Sequence, residues 1–232
     1  MNAYYDTLKA VKARIEHYLT EIFKVYGNEL LLKLEDYNLL TNVNNCIETS
    51  TATGFIMEEF ISSKLEIYTK NHGGTSEIKI ERNYQNATVN SSYDCSALFD
   101  EIFFMINIKI QKEGSNNNAV AAINILHDEY VVQNPSQEKA YMLLKVFYDF
   151  GQSKFDENRK ILIKKIESYF LEEIDFSSGH RQDFRNWSAN FNANSGRLQL
   201  SQSWRKAHLL AENEISYHKT RRFIDDIFRG LR

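Results

Sequence analysis

The sequence contains little proline, glycine or cysteine. One proline and nine glycines among 232 residues argue against a linker-rich, collagen-like or disordered chain. Cys46 and Cys95 are the only cysteines and form no CxxC motif, which argues against a disulfide framework or a cysteine-based zinc site. No apolar run approaches the ~18 residues of a membrane-spanning helix, and the first residues lack a signal-peptide core. We therefore expect a cytoplasmic protein that does not enter a membrane.

The net charge of −3 excludes a uniformly basic coat for nucleic acid. The charge is unevenly distributed, however. Residues 181–232 carry ten basic and five acidic side chains, whereas the first 180 residues carry 18 basic and 26 acidic ones. We therefore expect any anionic partner to bind the last quarter of the sequence.

The order of helical and strand patterns predicts an α/β fold with a central mixed β-sheet flanked by helices. No Pro-, Gly- or Ser-rich linker divides the chain, so we expect a single domain over residues 1–232. The predicted helices are Tyr4–Val25, Glu29–Leu40, a helix opened by Gly54 with an apolar stripe of Ile56, Phe60, Ile61 and Leu65, Ala119–Val132 and Arg205–Arg229. The predicted strands are Glu77–Arg82, Asp94–Phe99, Ile102–Gln111, Lys139–Phe150 and Lys160–Ile174.

One strand combines an apolar face with a face that becomes polar. Every even position from Ile102 to Ile110 is apolar, whereas the odd positions become polar at Asn107, Lys109 and Gln111. This period of two predicts a strand with one face in the core. The polar end of its other face is the first candidate for chemistry.

A two-residue turn at Asp100 and Glu101 would close a hairpin with the preceding strand. Asp94 would then lie opposite Asn107, about 5 Å away, with Lys109 further along the same face. Such a set suits Mg²⁺-dependent phosphodiester hydrolysis, because oxygen ligands hold the hard cation and a lysine orients water or stabilises charge on the phosphate. The residues alone favour equally a turn aspartate and a solvated lysine.

Asp94 followed by Asn107-Ile108-Lys109 resembles the D…(D/E)-x-K signature of the PD-(D/E)XK nucleases. The order of motifs around it resembles type II restriction endonucleases, particularly the EcoRV, HincII and SwaI-like enzymes. This resemblance implies a restriction-endonuclease-like core, Mg²⁺ as the cofactor, and double-stranded DNA as the substrate. It also implies a homodimer that cuts a short palindromic site, because two-fold protein symmetry matches a two-fold site.

The resemblance extends to a helix before the hairpin. Gly54–Ile61 is similar to a family helix that carries a glutamate facing the site, and Glu58 fits this glutamate best, with Glu59 next. By resemblance, residues 51–175 form the catalytic core and residues 176–232 the DNA-reading segment and C-terminal helix. Residues 1–50 would then supply helices for packing or dimerisation.

Asn107 departs from the family pattern, which has Asp or Glu at this position. Its carbonyl oxygen can bind a metal, but without a charge it would weaken a divalent site. Three explanations are open: a natural variant that uses Glu58 or Glu59 instead, an engineered inactivating Asp→Asn change, or a degenerate enzyme. The resemblance assigns catalysis to Asp94, Asn107, Lys109 and Glu58, with Asp94 and Asn107 as the metal ligands.

The predicted DNA contacts have the side-chain chemistry of a groove reader. Arg pairs bidentately with guanine, and Asn and Gln pair with adenine. An ordinary polar loop and a solvated strand face are the alternative. The predicted DNA-binding residues are Gln111, Ser115, Asn116, Asn117, Asn118, Arg181, Arg185, Asn192, Asn194, Arg197, Gln199 and Ser201.

Two other functions compete with a restriction enzyme. One is a repair or junction nuclease of the same superfamily. The other is a DNA-binding module that retains the scaffold but has lost the chemistry, for which Asn107 is the best sequence argument.

Overall fold

The computed structural model describes residues 2–31, 50–72, 78–84, 91–115, 118–152, 159–177, 181–183 and 196–230. Within these ranges, no helix is both long enough and apolar enough to cross a membrane. The helices are α1 (Ala3–Val25), α2 (Ser50–His72), α3 (Ile123–His127), which continues into a π-helical turn (Asp128–Val132), α4 (Gln202–Ala207) and α5 (Tyr217–Gly230). The strands are β1 (Glu29–Leu31), β2 (Ile80–Arg82), β3 (Cys95–Phe99), β4 (Ile102–Lys112), β5 (Ala119–Ala122), β6 (Lys139–Gln152), β7 (Arg159–Phe170), β8 (Arg181–Asp183) and β9 (Arg197–Gln199).

Six strands form one mixed sheet in the order β1-β7-β6-β4-β3-β2. β4 and β6 are parallel, and the other neighbours in this sheet are antiparallel. A parallel pair needs a crossover connection, which β5, α3 and the π-helical turn provide. A second sheet has the order β5-β9-β8. The prediction of an α/β fold with a central mixed sheet flanked by helices is confirmed.

The two faces of the six-stranded sheet have separate hydrophobic cores. α1 and α2 pack on the face that contains the even positions of β4, from Ile102 to Ile110. On the other face, Met105, Tyr141 and Leu143 pack with apolar residues of β5, β9, α3 and α5. The odd positions of β4, which include the candidate catalytic residues, therefore lie on the face that the second sheet partly covers.

The β3–β4 hairpin has the register that the sequence predicts. Phe99 pairs with Ile102, and each further pair of residue numbers also sums to 201. The turn residues Asp100 and Glu101 have φ angles of 48° and 63°. These left-handed values are typical of the two-residue type I′ turn, which matches the twist of the strands that it joins. The predicted register is confirmed.

Two of the helix predictions are partly wrong. The first residues of each predicted helix form a strand instead, because they pair with a strand from a distant part of the chain. In the predicted helix Glu29–Leu40, the first three residues form β1, an edge strand antiparallel to β7. Residues 32–40 lie outside the described ranges. In the predicted helix Ala119–Val132, the first four residues form β5, which pairs with β9. A partner so distant in sequence leaves no mark on the local hydrophobic spacing.

The predicted helix Arg205–Arg229 is in fact two helices, α4 and α5, joined by an extended segment. In this segment, the backbone N–H of Leu210 donates to the carbonyl of Glu173 at 2.9 Å. The carbonyl of His208 accepts from the N–H of Asp175 at 2.8 Å. These bonds satisfy backbone groups that would otherwise continue the helix, and they interrupt it.

Candidate active site

Asp94 lies at the open end of the β3–β4 hairpin, where the two strands separate. Its backbone carbonyl accepts a hydrogen bond from the N–H of Asn83 at 2.9 Å, outside the hairpin. Its carboxylate Oδ2 accepts the N–H of Ile108 at 2.6 Å. Because Ile108 separates Asn107 from Lys109, this bond fixes the carboxylate beside the Asn-Ile-Lys motif that the sequence analysis identified.

Glu58 lies near three charged groups of the candidate site. Burial raises its pKa to about 7, the positive charge of Lys109 opposes the rise, and the negative charges of Asp94 and Glu59 add to it. Lys109 itself is half-buried on β4. The helix before the hairpin and the hairpin itself therefore bring Glu58, Asp94 and Lys109 within electrostatic range of one another.

The orientation of α2 explains why Glu58 is half-buried. The sequence predicts Ile56 and Ile61 on the apolar stripe of this helix. In the structure Met57 and Ile61 are buried, whereas Ile56 is 42% exposed. The buried stripe is therefore turned by one residue at this end, and Glu58, which follows Met57, lies at the edge of the core.

Glu58 and Glu59 have different surroundings. Glu58 and Asp94 line one small cavity between α2 and the hairpin. The carboxylate of Glu59 forms an ion pair with Arg82 of β2, and its side chain is 52% exposed. Glu59 is therefore already neutralised by a neighbour. The side chains that line the cavity are Phe55, Glu58, Glu59, Ser62, Arg82, Asn83 and Asp94.

Asn107 is 4% exposed, and its amide nitrogen points into the protein. Nδ2 lies 2.8 Å from the carbonyl oxygen of Ser92, 2.9 Å from that of Val120 and 2.7 Å from the hydroxyl oxygen of Tyr141, so its two N–H groups are shared among three acceptors. Only the NH₂ group of an amide can donate to carbonyl oxygens, so these contacts fix the orientation of the side chain. Asn107 thereby joins the hairpin to β5 and β6.

Three of the predicted DNA contacts lie around the end of β4 and the start of β5. The amide of Gln111 donates to the carbonyl of Ser115. The hydroxyl of Ser115 donates to the carbonyl of Lys112 at 2.7 Å. The carbonyl of Asn118 accepts the N–H of Leu200 at 2.8 Å, which continues the β5–β9 pairing. Gln111 and Ser115 therefore stabilise the turn that follows the candidate catalytic strand.

Three further predicted contacts lie in and after β9. Arg197 and Gln199 are half-buried and alternate with the fully buried Leu198, as the sequence pattern predicts. Ser201 caps α4, because its hydroxyl accepts an N–H from the first turn of this helix. β9 pairs with β5, the strand that Asn107 contacts. The structure thus connects the predicted DNA-reading strand to the hairpin.

The remaining predicted DNA contacts cannot be placed. The backbone of Arg181 belongs to β8, but its side chain lies outside the described part of the structure. The residues wholly outside the described ranges are Asn116, Asn117, Arg185, Asn192 and Asn194.

The sequence analysis did not single out Lys145, which lies beside Lys109. The two lysines are register partners in the parallel β4–β6 pair, and Lys145 is 7% exposed. The signal in the sequence is a single lysine within an otherwise apolar stretch of β6. Because lysine is almost never fully buried without a reason, this position stands out.

Asp94 and Glu58 carry oxygen donors of the type that magnesium prefers, and both line the same cavity. Mg²⁺ in proteins takes one or two carboxylates and fills its other positions with water and substrate phosphate oxygens. Within the described ranges, no group of three or more His, Cys, Asp or Glu side chains could hold a metal ion.

No family model matches the sequence, and no curated protein matches it. Among solved structures, the chain is similar to NlaIV restriction endonuclease, with a TM-score of 0.42 and 12% sequence identity. The similarity covers 83% of this chain and 68% of the NlaIV chain. The restriction-endonuclease-like core and its similarity to the EcoRV, HincII and SwaI-like group stay predictions.

Proposed function

We propose that this chain is a Mg²⁺-dependent endonuclease that cuts double-stranded DNA at a short palindromic site, as a type II restriction enzyme does. The observation that carries the proposal is the hydrogen bond from the N–H of Ile108 to the carboxylate of Asp94. It holds an oxygen ligand beside Lys109, and Glu58 approaches the same point from α2. A homodimer fits such a site because its two-fold symmetry places one active site on each strand.

In this proposal Asp94 and Glu58 hold the metal ion. When bound, Mg²⁺ would polarise the scissile phosphate and lower the pKa of a coordinated water. Asn107 occupies the position of the second carboxylate in the family motif, but its amide nitrogen is bound to two carbonyl groups inside the protein. We therefore favour a natural variant in which Glu58 supplies the second carboxylate.

Lys109 supplies the positive charge of the reaction centre. Its ammonium group can donate a hydrogen bond to the attacking water and can stabilise the charge that develops on the phosphate. Lys109 is half-buried, and its interactions with anions are therefore less screened by water than those of a surface lysine. In this proposal Asp94 thus binds the metal ion, and Lys109 stabilises negative charge and orients the attacking water.

DNA binding is proposed for the turn after β4 and for β9 with the start of α4. Arg197 and Gln199 carry the donor groups that pair with guanine and adenine, and Ser201 follows them at the start of α4. The positive excess of residues 181–232 would contact phosphates. Because phosphate contacts release counterions, we expect DNA affinity to fall steeply with salt.

A plasmid digest tests the proposal. The purified chain is incubated with supercoiled plasmid in Mg²⁺ and in EDTA, next to a folded Lys109→Met variant. We expect discrete fragments from the native chain in Mg²⁺ only, and almost none from the variant. Nicks confined to branched or damaged DNA would instead indicate a repair or junction nuclease. Salt-dependent binding without any cleavage would indicate a DNA-binding module and contradict the proposed enzyme.

A further inference from the structure

Glu129 of the π-helical turn holds the segment that leads into Asp94. Its carboxylate oxygen Oε2 accepts the backbone N–H of Ser92 at 2.8 Å and also the hydroxyl of the same residue. Its other oxygen, Oε1, lies 2.7 Å from the hydroxyl oxygen of Ser91, whose proton has the carbonyl of Tyr93 as a second acceptor at 3.1 Å. Hydrogen bonds to an ionised carboxylate are about twice as strong as those between neutral groups. One side chain therefore holds two consecutive residues shortly before Asp94.

The segment that Glu129 holds lies outside the β3–β4 ladder, which begins one residue after Asp94. The backbone N–H of Asp94 donates to the carbonyl of Ile106 at 2.9 Å. Its side chain reaches two residues further along β4, to the N–H of Ile108 at 2.6 Å. The path of the chain before β3 therefore affects where the Asp94 carboxylate lies.

Ser92 also joins this segment to the main sheet. It is 6% exposed, and its carbonyl oxygen lies 2.8 Å from Nδ2 of Asn107. The same oxygen accepts the hydroxyl of Tyr141 on β6. Glu129 binds the N–H of Ser92, while Asn107 and Tyr141 bind its carbonyl, so both backbone groups of this residue are held.

The π-helical turn that carries Glu129 is itself held by a buried lysine. Nζ of Lys139, at the start of β6, donates to the carbonyl of Glu129 at 2.6 Å and to that of Tyr130 at 3.2 Å, and it also contacts the carbonyl of Gln133. Lys139 is 2% exposed. π-Helical turns are rare and occur frequently at functional sites. These contacts give Glu129 a fixed position from which to hold the segment before Asp94.

We propose that Glu129 is a positioning residue for the candidate active site, because it holds Ser91 and Ser92 so that the Asp94 carboxylate stays against the N–H of Ile108. Glu129 touches neither the metal ion nor the DNA in this proposal and acts only through Asp94. The effect on cleavage rests on the proposed function, whereas the placement of Asp94 rests on the hydrogen bonds alone.

A second glutamate with the same type of contacts serves as a matched control. Glu16 of α1 accepts the backbone N–H of Ser168 at 2.9 Å and its hydroxyl at 2.6 Å. Ser168 belongs to β7, which β6 separates from the two strands of the hairpin. Glu16 and Glu129 are both half-buried. Glu16→Ala should therefore lower stability in the same way as Glu129→Ala, without moving Asp94.

Hydrogen exchange of the Ile108 amide, followed by NMR without metal or DNA, tests the positioning. This N–H donates to the Asp94 carboxylate, so its exchange rate shows whether that bond is kept. After correction for the unfolding free energy of each variant, we expect the amide to exchange about tenfold faster in Glu129→Ala than in Glu16→Ala. Glu129→Gln keeps the length of the side chain and one acceptor oxygen, and it should show a smaller increase. Native exchange of Ile108 in either folded Glu129 variant would overturn the inference, whether or not the chain cuts DNA.

Cleavage of plasmid DNA by the same variants tests the consequence for catalysis. We expect the rate at saturating DNA to fall by about 10–10²-fold in Glu129→Ala, because a small displacement of a reacting group has effects of this size, and to stay native in Glu16→Ala. DNA affinity in EDTA should stay native in both, since neither glutamate belongs to the proposed DNA contacts. A native cleavage rate in Glu129→Ala would overturn the inference. Faster exchange at Ile108 in a chain that cuts no DNA would support the positioning of Asp94 and contradict the proposed function.

Discussion

Asn107 and Lys109 are two residues apart on the same face of β4, yet their surroundings differ completely. Asn107 is 4% exposed and bound to the hairpin, to β5 and to β6. Lys109 is half-buried, beyond these contacts, and lies beside another lysine. The second sheet covers the half of this face around Asn107, which is buried, whereas in the other half, called open below, the side chain of Lys109 is partly exposed.

The comparison shows that two residues of one sequence motif can have different surroundings, because the chain packs differently around each of them. The covered half of the face contains hydrogen-bonded polar groups that hold the two sheets together. The open half contains Lys109 and borders the carboxylates of Asp94 and Glu58. We therefore expect substitutions in the covered half to lower stability and substitutions in the open half to lower activity.

The largest expected effect is the loss of cleavage in Lys109→Met. Removal of a charge donor from a reaction centre typically reduces the rate by about 10²–10⁴-fold. The unfolding free energy should change by less than about 0.5 kcal/mol, because the side chain forms no hydrogen bond or ion pair with the residues that the structure describes. Plasmid cleavage and urea unfolding measure the two effects, with Lys112→Met as the control. If Lys109→Met lost stability together with cleavage, the separation of the two halves would be contradicted.

The next effect is a loss of stability in Asn107→Asp. An aspartate would set an acceptor oxygen against the carbonyls of Ser92 and Val120, which now accept from the amide. We expect the unfolding free energy to fall by about 2–4 kcal/mol. Urea unfolding measures this loss of stability. Asn118→Asp, at a half-exposed position, is the control, and it should change the unfolding free energy by less than about 0.5 kcal/mol. Unchanged stability of Asn107→Asp would show that the amide contacts are unimportant.

The covered half also contains Glu172, which accepts hydrogen bonds from the hydroxyl of Tyr130 and the N–H of Tyr141. Burial raises its pKa from 4.5 to about 8. Between pH 4.5 and about pH 8, Glu172 keeps its proton in the folded protein but has lost it in the unfolded chain. Stability should therefore fall as pH rises, by at most about 1.4 kcal/mol per pH unit.

Glu172→Gln should remove this contribution to the pH dependence. Urea unfolding at a series of pH values measures the slope of the unfolding free energy against pH. Glu138→Gln, at an exposed position, is the control and should keep the native slope. If Glu172→Gln retained the full native slope, Glu172 would be excluded as its source.

The smallest effect is expected for Glu59→Gln, which breaks the ion pair with Arg82 at the edge of the cavity. A half-exposed pair contributes about 0.2–1 kcal/mol. Cleavage should remain within about tenfold of the native rate, since the carboxylate of Glu59 is already paired with Arg82, whereas Glu58→Gln should reduce it by about 10²-fold or more. Cleavage rates of the two variants decide which glutamate serves the site. The reverse order would assign the role to Glu59.

The local parts of the fold could be predicted from the sequence. The hairpin follows from alternation over Ile102–Ile110 and a two-residue turn, so its register depends on neighbouring residues. β1 and β5 could not be predicted, because each pairs with a strand that lies more than 70 residues away. Their three- and four-residue sequences have no pattern of their own.

The same limit applies to the candidate site. The motif pointed to Asp94 and Lys109, and the carboxylate of Asp94 accepts the N–H of Ile108, the residue before Lys109. The position of Asn107 depends on Ser92, Val120 and Tyr141, which come from three separate parts of the chain. Spacing along one strand therefore could not distinguish a ligand from a residue that joins two sheets.

The most direct test of the account is the Mg²⁺-dependent cleavage of plasmid DNA by the native chain and by Asn107→Asp, each with its unfolding free energy measured. We predict that the native chain cuts DNA with Asn107 in place, and that Asn107→Asp is less stable and cuts no faster. An inactive native chain beside an active, equally stable Asn107→Asp protein would contradict the account, because position 107 would then be a missing metal ligand.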